Sequence, residues 1–335
     1  MRNDTRKLYH AYLAQVAMLN GIDSATEKFA VEPSVAQKLE THIQDTSVFL
    51  KSINVYQVAE QSGEKIGMGI DGTIASTTDT TVKDREPRDP SALDSRGYFC
   101  TQTNFDTAIR YAKIDQWAKF KDFQTRMRDA ILKAQALNRI MIGWNGTSRA
   151  PTSNPAVNKL LQDVNVGWLQ KMRTENPQRW LKEGAAGTGK ITIGAGKNFA
   201  NLDALVFSLV NEFIDPWYQE DTDLVVICGR KLLADKYFPI INKTQDPTEM
   251  LATDVVVSQK RIGNLPAVRV PHFPPNALKV TRLDNLSIYV QDGTRRRTIV
   301  DNAKRDRIEN YESVNEAYVI EDLGCAALAE NIVLS

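Results

Sequence analysis

Residues 61–100 have the sequence QSGEKIGMGIDGTIASTTDTTVKDREPRDPSALDSRGYFC, which is rich in Gly, Thr, Ser and Asp. Its few apolar residues alternate at Ile66, Met68 and Ile70, and this pattern predicts a long, extended β-hairpin over residues 60–104. So few apolar side chains cannot form a core, and a connection of this length inside a compact domain is unusual unless it has a role outside that domain. The stretch therefore predicts a projection that neighbouring structure must stabilise.

The region after the hairpin predicts an unusually long helix. A strand is predicted over 105–112, and apolar residues then recur at helical spacing between Ile114 and Trp144. This pattern predicts a helix over 115–143, with about 28 residues and a length of about 40 Å, against a mean of about 11–12 residues in globular proteins. Its opposite face carries many charges, so we expect the helix to run along a surface. A further helix is predicted over 160–173, after a polar loop.

From residue 201 onward the chain has an α/β texture, and the chain as a whole is assigned to the α+β class. Helices are predicted over 202–214 and 231–237, and strands over 223–228 and 267–270. Residues 249–258 fit a helix or a strand, because the run of three valines leaves the choice open. Residues 278–334 are predicted to be mostly β.

The amino-terminal side begins with a predicted helix over residues 5–20, followed by a polar joint. An isolated helix of this length cannot bury its own apolar stripe, so we expect it to dock on something else or to be temporary. A second helix is predicted to begin at Pro33 and a strand to cover 53–59.

Composition excludes several classes of protein. The 335 residues are 42% hydrophobic and 25% charged, with a formal net charge of +1, so no global basic field is available to hold nucleic acid. Cys100, Cys228 and Cys325 fit neither a disulfide framework nor a zinc pattern, so we expect buried or half-buried thiols in a reducing compartment. The sequence has no membrane-spanning apolar run and no signal peptide, which predicts a protein made and used in a cytoplasm. The three histidines are isolated, and no metal or other cofactor is predicted.

The sharpest local motif is Gly184–Lys190, with the sequence GAAGTGK. It matches the phosphate-binding loop as far as its lysine, but the next residue is Ile191 where Ser or Thr should bind magnesium. A polar segment precedes the motif and a strand-like segment follows it, whereas a phosphate loop joins a buried strand to a helix. The tip of a flexible hairpin is the favoured interpretation, and nucleotide binding is the alternative.

Six long, ungapped segments resemble the major capsid proteins of P2-like tailed phages, and the resemblance extends over nearly the whole chain. The segments are FAVEPSV (29–35), GTIASTTDT (72–80), LQDVNVGWLQKMR (161–173), PWYQEDTDLVVICGRKLLADKYFPIIN (216–242), SQKRIGNLPAVRVPHFP (258–274) and ENYESVNEAYVIED (309–322). The resemblance implies the Hong Kong 97-type capsid fold. Its parts would be an amino-terminal scaffold-like segment (1–29), an N-arm (30–59), an extended loop (60–104), a peripheral domain (105–200) with the spine helix 115–143, an axial domain (201–300) and a return to the peripheral sheet (301–335).

The resemblance also implies a function without catalysis. Copies would form pentamers and hexamers that close into an icosahedral shell around double-stranded DNA, in a virion assembled in the bacterial host's cytoplasm. The implied partners are an internal scaffold and prohead protease, a portal protein and an external size-determining or decoration protein, with no membrane. In this family the prohead protease removes the amino-terminal segment during maturation, which by position puts the cut near Phe29–Ala30.

Two charged clusters are candidates for contacts in such a shell. Mixed charges on the hairpin would orient a neighbouring subunit; they are Lys83, Asp84, Arg85, Glu86 and Arg88. The cluster Arg295, Arg296 and Arg297 would form a solvated or intersubunit ionic face, or else contact packaged DNA phosphates. Two other functions stay open: a nucleotide-binding packaging factor that uses Gly184–Lys190, and an encapsulating shell with protein cargo.

Overall fold

The computed structural model of this 335-residue chain describes residues 1–65, 69–70, 75–87, 91–92, 96–120, 122–241 and 261–334. The chain divides into two compact units, each assembled from separate segments. The first unit comprises Met1–Gly63, Tyr98–Gly167 and Ser287–Tyr318. The second comprises Glu64–Gly97, Trp168–Leu286 and Val319–Ser335.

The helix over Pro33–Asp45 begins where the sequence supplies a local signal. The carboxylate of Glu32 accepts hydrogen bonds from the backbone N–H groups of Ser34 and Val35, and Pro33 occupies the first helical position. The helices are α1 (Asn3–Leu19), α2 (Pro33–Asp45), α3 (Val48–Ser52), α4 (Tyr111–Trp117), α5 (Phe123–Asn145), α6 (Trp168–Glu175), α7 (Leu202–Phe213) and α8 (Arg230–Ile241).

The strands are mostly short, with one long exception near the carboxyl end. They are β1 (Phe29–Ala30), β2 (Asn54–Val58), β3 (Ser62–Gly63), β4 (Gly69–Ile70), β5 (Ser91–Ala92), β6 (Tyr98–Phe99), β7 (Thr101–Asn104), β8 (Thr107–Arg110), β9 (Trp180–Leu181), β10 (Ile191–Ile193), β11 (Leu224–Cys228), β12 (Arg261–Ile262), β13 (Leu265–Val268), β14 (Leu278–Arg282), β15 (Leu286–Gln291), β16 (Arg296–Asn302), β17 (Arg307–Ile320), β18 (Ala326–Ala329) and β19 (Ile332–Leu334).

The first unit is organised around the long strand β17. Its sheet has the order β1-β16-β17-β15-β2, and β7 and β8 also pair with β17. Side chains of α1, α2, α4 and α5 pack with Ile299 and Ile308 of this sheet in one apolar cluster. The sheet and these helices together bury the apolar stripes that the sequence predicts.

The second unit has a six-stranded sheet in the order β12-β13-β11-β14-β18-β9. Its core cluster joins this sheet to α7, whose residues Leu205, Val206 and Leu209 are fully buried. The alternation of side chains along a strand places Leu278 and Val280 of β14 in that core and Lys279 on the opposite face. A separate parallel pair joins β10 to β19.

Several predicted elements are confirmed. The helices over 5–20, 202–214 and 231–237, and the helix that begins at Pro33, correspond to α1, α7, α8 and α2. The strands over 53–59 and 223–228 correspond to β2 and β11, and the predicted β-rich carboxyl end holds β14 to β19. The ambiguous segment 249–258 lies outside the described residues. The three cysteines are buried free thiols, as predicted.

The single helix predicted over 115–143 is wrong in its continuity, because α4 and α5 are separated by residues 118–122. Ile114 of α4 and Met127 of α5 are both buried in the same apolar cluster. In one unbroken helix these side chains would point about 140° apart around the axis, at 3.6 residues per turn. The break lets both reach the cluster, so tertiary packing overrides the continuous helical pattern.

The helix predicted over 160–173 begins only at Trp168. The preceding residues form a loop that is closed by backbone hydrogen bonds, including Thr147 N to Gln162 O and Ala150 N to Asp163 O, both at 2.8 Å. Leu161 adopts a positive φ of 57°, which a helix excludes. The carbonyl groups that a longer helix would have used are therefore engaged elsewhere.

The hairpin predicted over 60–104 is partly described. Strands β3 and β6 pair antiparallel, as do β4 and β5, and residues 75–87 are described without strand structure. Strand β7 lies outside the hairpin because it pairs with β17 in the first-unit sheet.

Strand pairing decides to which unit the strands near the carboxyl end belong. β15 and β16 lie in the first unit because they belong to the sheet of β17, whereas β18 pairs with β14 in the second.

Candidate assembly and processing sites

The predicted processing site and the predicted arginine cluster lie side by side. Phe29 and Ala30 form β1, whose antiparallel partners are Arg297 and Arg296 of β16. The backbone N–H of Val31 then donates to the carbonyl of Arg295 at 3.0 Å. Phe29 is buried, whereas Ala30 is exposed. The bond between them is thus held in an extended strand at one end of the sheet.

The helix α1, which precedes this strand, docks on the chain's own first unit. Tyr9, Tyr12 and Val16 are buried in the apolar cluster beneath it. Two polar contacts add to this packing: Arg6 pairs with Asp301 at 3.2 Å, and Arg297 Nη2 donates to the Tyr12 hydroxyl at 2.9 Å. Sequence reasoning left the docking partner open, and the structure identifies it.

Tyr9 of α1 and Tyr111 of α4 share an acidic neighbour, Asp301. The hydroxyl of Tyr111 donates to Asp301, and burial together with this hydrogen bond raises the pKa of Tyr111 to about 12. Burial, followed by the charge of Asp301, also raises the pKa of Tyr9. Both phenols therefore stay neutral at physiological pH and act as packing and hydrogen-bonding groups.

The three predicted arginines have different environments. Arg295 is 3% exposed and pairs with Glu40 and Glu312. Arg297 is half-buried, and its Nε donates to the side-chain oxygen of Asn310 at 2.6 Å. Arg296 donates from Nη1 to the carbonyl of Gly293 at 2.5 Å and keeps part of its side chain accessible. Of the three, Arg296 is the residue placed to reach another molecule.

Sequence reasoning missed a buried ionic chain that extends from Arg295. Its five members are Glu316, Arg139, Glu40, Arg295 and Glu312, in order of contact, and each is less than 9% exposed. A sequence signal did exist, since Glu40 lies in the buried stripe of α2 between Ala36 and Ile43. A charge inside an apolar stripe indicates a buried partner of opposite sign.

The charged residues of the hairpin are exposed where the structure describes them. Lys83 and Glu86 form an ion pair at 3.2 Å with both side chains mostly in solvent. Asp84 and Arg85 are also exposed, and Arg88 lies outside the described residues. Exposed pairs of this kind contribute little to the stability of a fold, so these charges are available for other contacts.

The glycine-rich motif forms a loop that closes on itself. The N–H of Gly184 donates to the carbonyl of Lys190 at 3.0 Å, and the carboxylate of Glu183 accepts from the N–H of Gly189 at 2.9 Å. A strand, β10, follows the loop, where a phosphate site would open a helix. The loop is not the tip of a β-hairpin either, because its flanking strands pair elsewhere: β9 with β18, and β10 with β19.

Lys279 is a further buried ionisable residue, separate from the ionic chain, that the sequence did not reveal. Its side chain has no exposed surface, and its amine has no hydrogen-bond partner among the described residues. Burial lowers the pKa of Lys279 to about 7. Because the amine can shed its proton near neutral pH, the folded unit avoids burying a full charge.

The two-unit α+β fold, with an exposed charged hairpin and an amino-terminal segment docked at the sheet of β17, is a capsid subunit of the Hong Kong 97 type. Residues 8–332 match the family described as phage major capsid protein, P2 family, and the chain belongs to that family.

Known relatives agree with this assignment. The chain is 55% identical to the capsid protein of Escherichia phage P2, over 99% of this chain and 95% of the relative. It is 39% identical to the major capsid protein of Serratia phage KSP20, over 100% of this chain and 98% of the relative. A solved structure of the satellite phage P4 procapsid, which includes the size determination protein Sid, has a TM-score of 0.83 and 51% identity over 100% of this chain and 99% of that chain.

This protein is therefore a major capsid protein of the P2-like phage type and a component of the virion shell. Among the described residues, no helix is long and apolar enough to cross a membrane.

Proposed function

We propose that this chain assembles as pentamers and hexamers into an icosahedral shell that encloses double-stranded phage DNA, and that it has no catalytic site of its own. The likeness to a procapsid subunit over the full chain carries this proposal. Many weak interfaces suffice in a closed shell, since closure makes each contact effectively intramolecular.

Processing of the amino-terminal segment is the second part of the proposal. A prohead protease cuts between Phe29 and Ala30 after residues 1–29 have engaged an internal scaffold. This is supported by the extended conformation of β1 at one end of the sheet and by the exposure of Ala30. Proteins commonly recognise peptides in extended form by adding them to a strand. Since Phe29 is buried, release of β1 from β16 must accompany the cut.

Contacts between subunits and with other partners complete the proposal. The hairpin charges Lys83, Asp84, Arg85, Glu86 and Arg88 orient a neighbouring subunit. Arg296, with its accessible guanidinium, contacts either a neighbouring subunit or packaged DNA. A portal protein occupies one vertex, and an external size-determining or decoration protein binds the outer surface. The P4 procapsid relative, whose structure includes Sid, supports that last partner.

The decisive experiment co-expresses the full chain with the scaffold and protease of its phage. Electron microscopy should show closed shells, and mass spectrometry should find a subunit that begins at or near Ala30. An intact, soluble monomer that never assembles would contradict the proposal. Shells built from uncut subunits would contradict only the processing step.

Two alternatives are separated by simple measurements. Lys190→Ala should leave assembly unchanged, whereas a nucleotide-dependent packaging factor would lose its function. The exposed loop and the occupied N–H of Gly189 favour the first outcome. An encapsulating shell would contain protein cargo, so nucleic acid recovered from purified particles distinguishes the DNA-filled capsid.

A further inference from the structure

The buried ionic chain of the first unit links three separate elements. Glu40 belongs to α2, Arg139 to α5, and Glu312 and Glu316 to β17, while Arg295 immediately precedes β16. Arg139 binds Glu40 through two nitrogens, with Nη1 at 2.5 Å and Nη2 at 3.1 Å. The same guanidinium binds Glu316 Oε1, with Nε at 2.7 Å. The chain thus holds α2 to the long helix and to the sheet.

The three carboxylates are not compensated equally. Glu40 lies between two arginines, Arg139 and Arg295. Glu312 pairs with Arg295, and Arg297 also acts on it electrostatically. Among the described residues, Glu316 contacts the cation Arg139, which it shares with Glu40, and the charge of Arg295 acts on it more weakly.

Three further groups near Glu316, namely Tyr318, Cys100 and Asn165, carry no positive charge. The Tyr318 hydroxyl lies 3.5 Å from Glu316 Oε2. The charge of Glu316 also contributes, after burial, to the raised pKa of the Cys100 thiol. The side-chain amide of Asn165 donates to the backbone carbonyl of Glu316 rather than to its carboxylate. Glu316 is fully buried and shares its arginine with another carboxylate. It is therefore the least stable of the three carboxylates in its ionised form.

We propose that the chain Glu316–Arg139–Glu40–Arg295–Glu312 is a proton-dependent latch, in which one proton resides on Glu316 and keeps α2 bound to the first unit. When Glu316 is protonated, Arg139 is free to engage Glu40 fully. When the proton leaves, two carboxylates compete for one guanidinium, and Glu40, which lies on the separate helix α2, loses part of its hold.

The acid–base properties of the two carboxyls agree with this assignment. Burial raises the pKa of Glu316 despite the nearby Arg139. Burial also acts to raise the pKa of Glu40, but Arg139 and Arg295 outweigh it and hold the pKa at about 2. A group whose pKa is raised on folding stabilises the fold most at low pH and loses that contribution as pH rises through its folded value. The latch therefore loosens as pH rises, whereas Glu40 remains ionised until strongly acidic pH.

Two variants of the full chain test the latch. Glu316→Gln reproduces the protonated form, so its folding equilibrium constant at neutral pH should stay within about threefold of the parent. Glu40→Gln removes the carboxylate that bridges both arginines and should lower this constant by about a hundredfold or more, as breaking a buried ion pair does. Equal losses in the two variants would overturn the proposal.

The proton itself is detected by infrared spectroscopy on the parent chain at neutral pH. We expect the carbonyl stretch of a protonated carboxylic acid, lost in Glu316→Gln and retained in Glu309→Gln. Glu309 is a matched control, because it is a buried glutamate of the same strand that pairs with Arg307 at 2.6 Å.

Hydrogen exchange measures the release of α2. After correction for intrinsic rates, the amides of α2 should exchange faster as pH rises in the parent chain but not in Glu316→Gln. A parent spectrum without the acid band, or pH-independent exchange of α2, would exclude the latch.

Discussion

At the scale of single residues, the buried Lys279 makes the stability of the fold depend on pH. Its amine has no partner among the described residues and its pKa is lowered to about 7. The unfolded chain keeps the ordinary value near 10.5, so between about pH 7 and 10 the unfolded state binds the extra proton. The free energy of unfolding therefore rises with pH across that window. Below pH 7 the buried amine is protonated, and there it destabilises the fold most.

Lys279→Met should increase the free energy of unfolding by about 1–3 kcal/mol at pH 7, because it removes a buried polar group that makes no hydrogen bond with the described residues. The gain should shrink as pH approaches 10. Urea denaturation at several pH values measures both effects. Lys133→Met, at an exposed position on α5, is the control and should show neither. A destabilised Lys279→Met chain would mean that the amine has a partner after all.

At the scale of elements, α5 ends where a glycine lets another segment approach. A methyl group at Gly146 would lie 2.1 Å from the carbonyl oxygen of Asn165 and 2.7 Å from that of Ile142. Neither backbone atom can move without displacing the loop over residues 147–166 or the last turn of α5. The glycine is therefore required by close packing rather than by an unusual φ.

Gly146→Ala should lower the free energy of unfolding by about 1–3 kcal/mol, the usual cost of overpacking. Thermal unfolding followed by circular dichroism measures it. Gly63→Ala is the matched control, since the nearest atoms to its added methyl group belong to the Tyr98 side chain, with the hydroxyl oxygen at 3.2 Å. Equal shifts in the two variants would argue against a special constraint at Gly146.

The docking of α1 gives a second prediction at this scale. Tyr9→Ala removes a buried ring from the contact between α1 and the sheet, a loss that commonly costs about 3–5 kcal/mol for a large aromatic side chain. We expect α1 to detach while the rest of the first unit stays folded. Trypsin should then cut at Arg6 and Lys7 much faster than in the parent chain, as followed by mass spectrometry. Gln15→Ala, at an exposed position, should leave the cutting rate unchanged.

At the scale of the whole molecule, the charges of the hairpin matter for assembly and little for the folding of the subunit. Its described charges lie in solvent, so they contribute little to the stability of the monomer. In a shell, charges of mixed sign orient neighbours and disfavour wrong arrangements. Mutations in the hairpin should therefore affect the particle more than the subunit.

Reversal of Arg85 and Arg88 to glutamate should impair shell formation while circular dichroism and thermal unfolding of the subunit stay unchanged. Electron microscopy after co-expression with the scaffold counts the shells. The charge-preserving pair Arg85→Lys and Arg88→Lys is the control and should assemble. Normal shells from the reversed variant would show that Arg85 and Arg88 do not contribute to the interface between subunits.

Local patterns were enough to predict many individual elements. The apolar stripes of α1, α2 and α7, and the β-rich character of residues 278–334, are properties of adjacent residues. The alternating apolar residues between positions 61 and 100 likewise predicted a β-hairpin, and two antiparallel strand pairs agree with that pairing. The family resemblance was also visible in the sequence, because it rests on long ungapped segments.

Only the tertiary structure decided which distant residues meet. The break between α4 and α5 arises because Ile114 and Met127 must reach one cluster, a requirement that helical spacing alone does not express. The same holds for the ionic chain, whose members Glu40, Arg139 and Glu316 are separated by 99 and 177 residues along the sequence. The sequence by itself determined which surfaces must be buried, since that depends on local periodicity. The partners of those surfaces depend on long-range packing and on the cost of leaving a buried charge uncompensated, so they appear only in the folded chain.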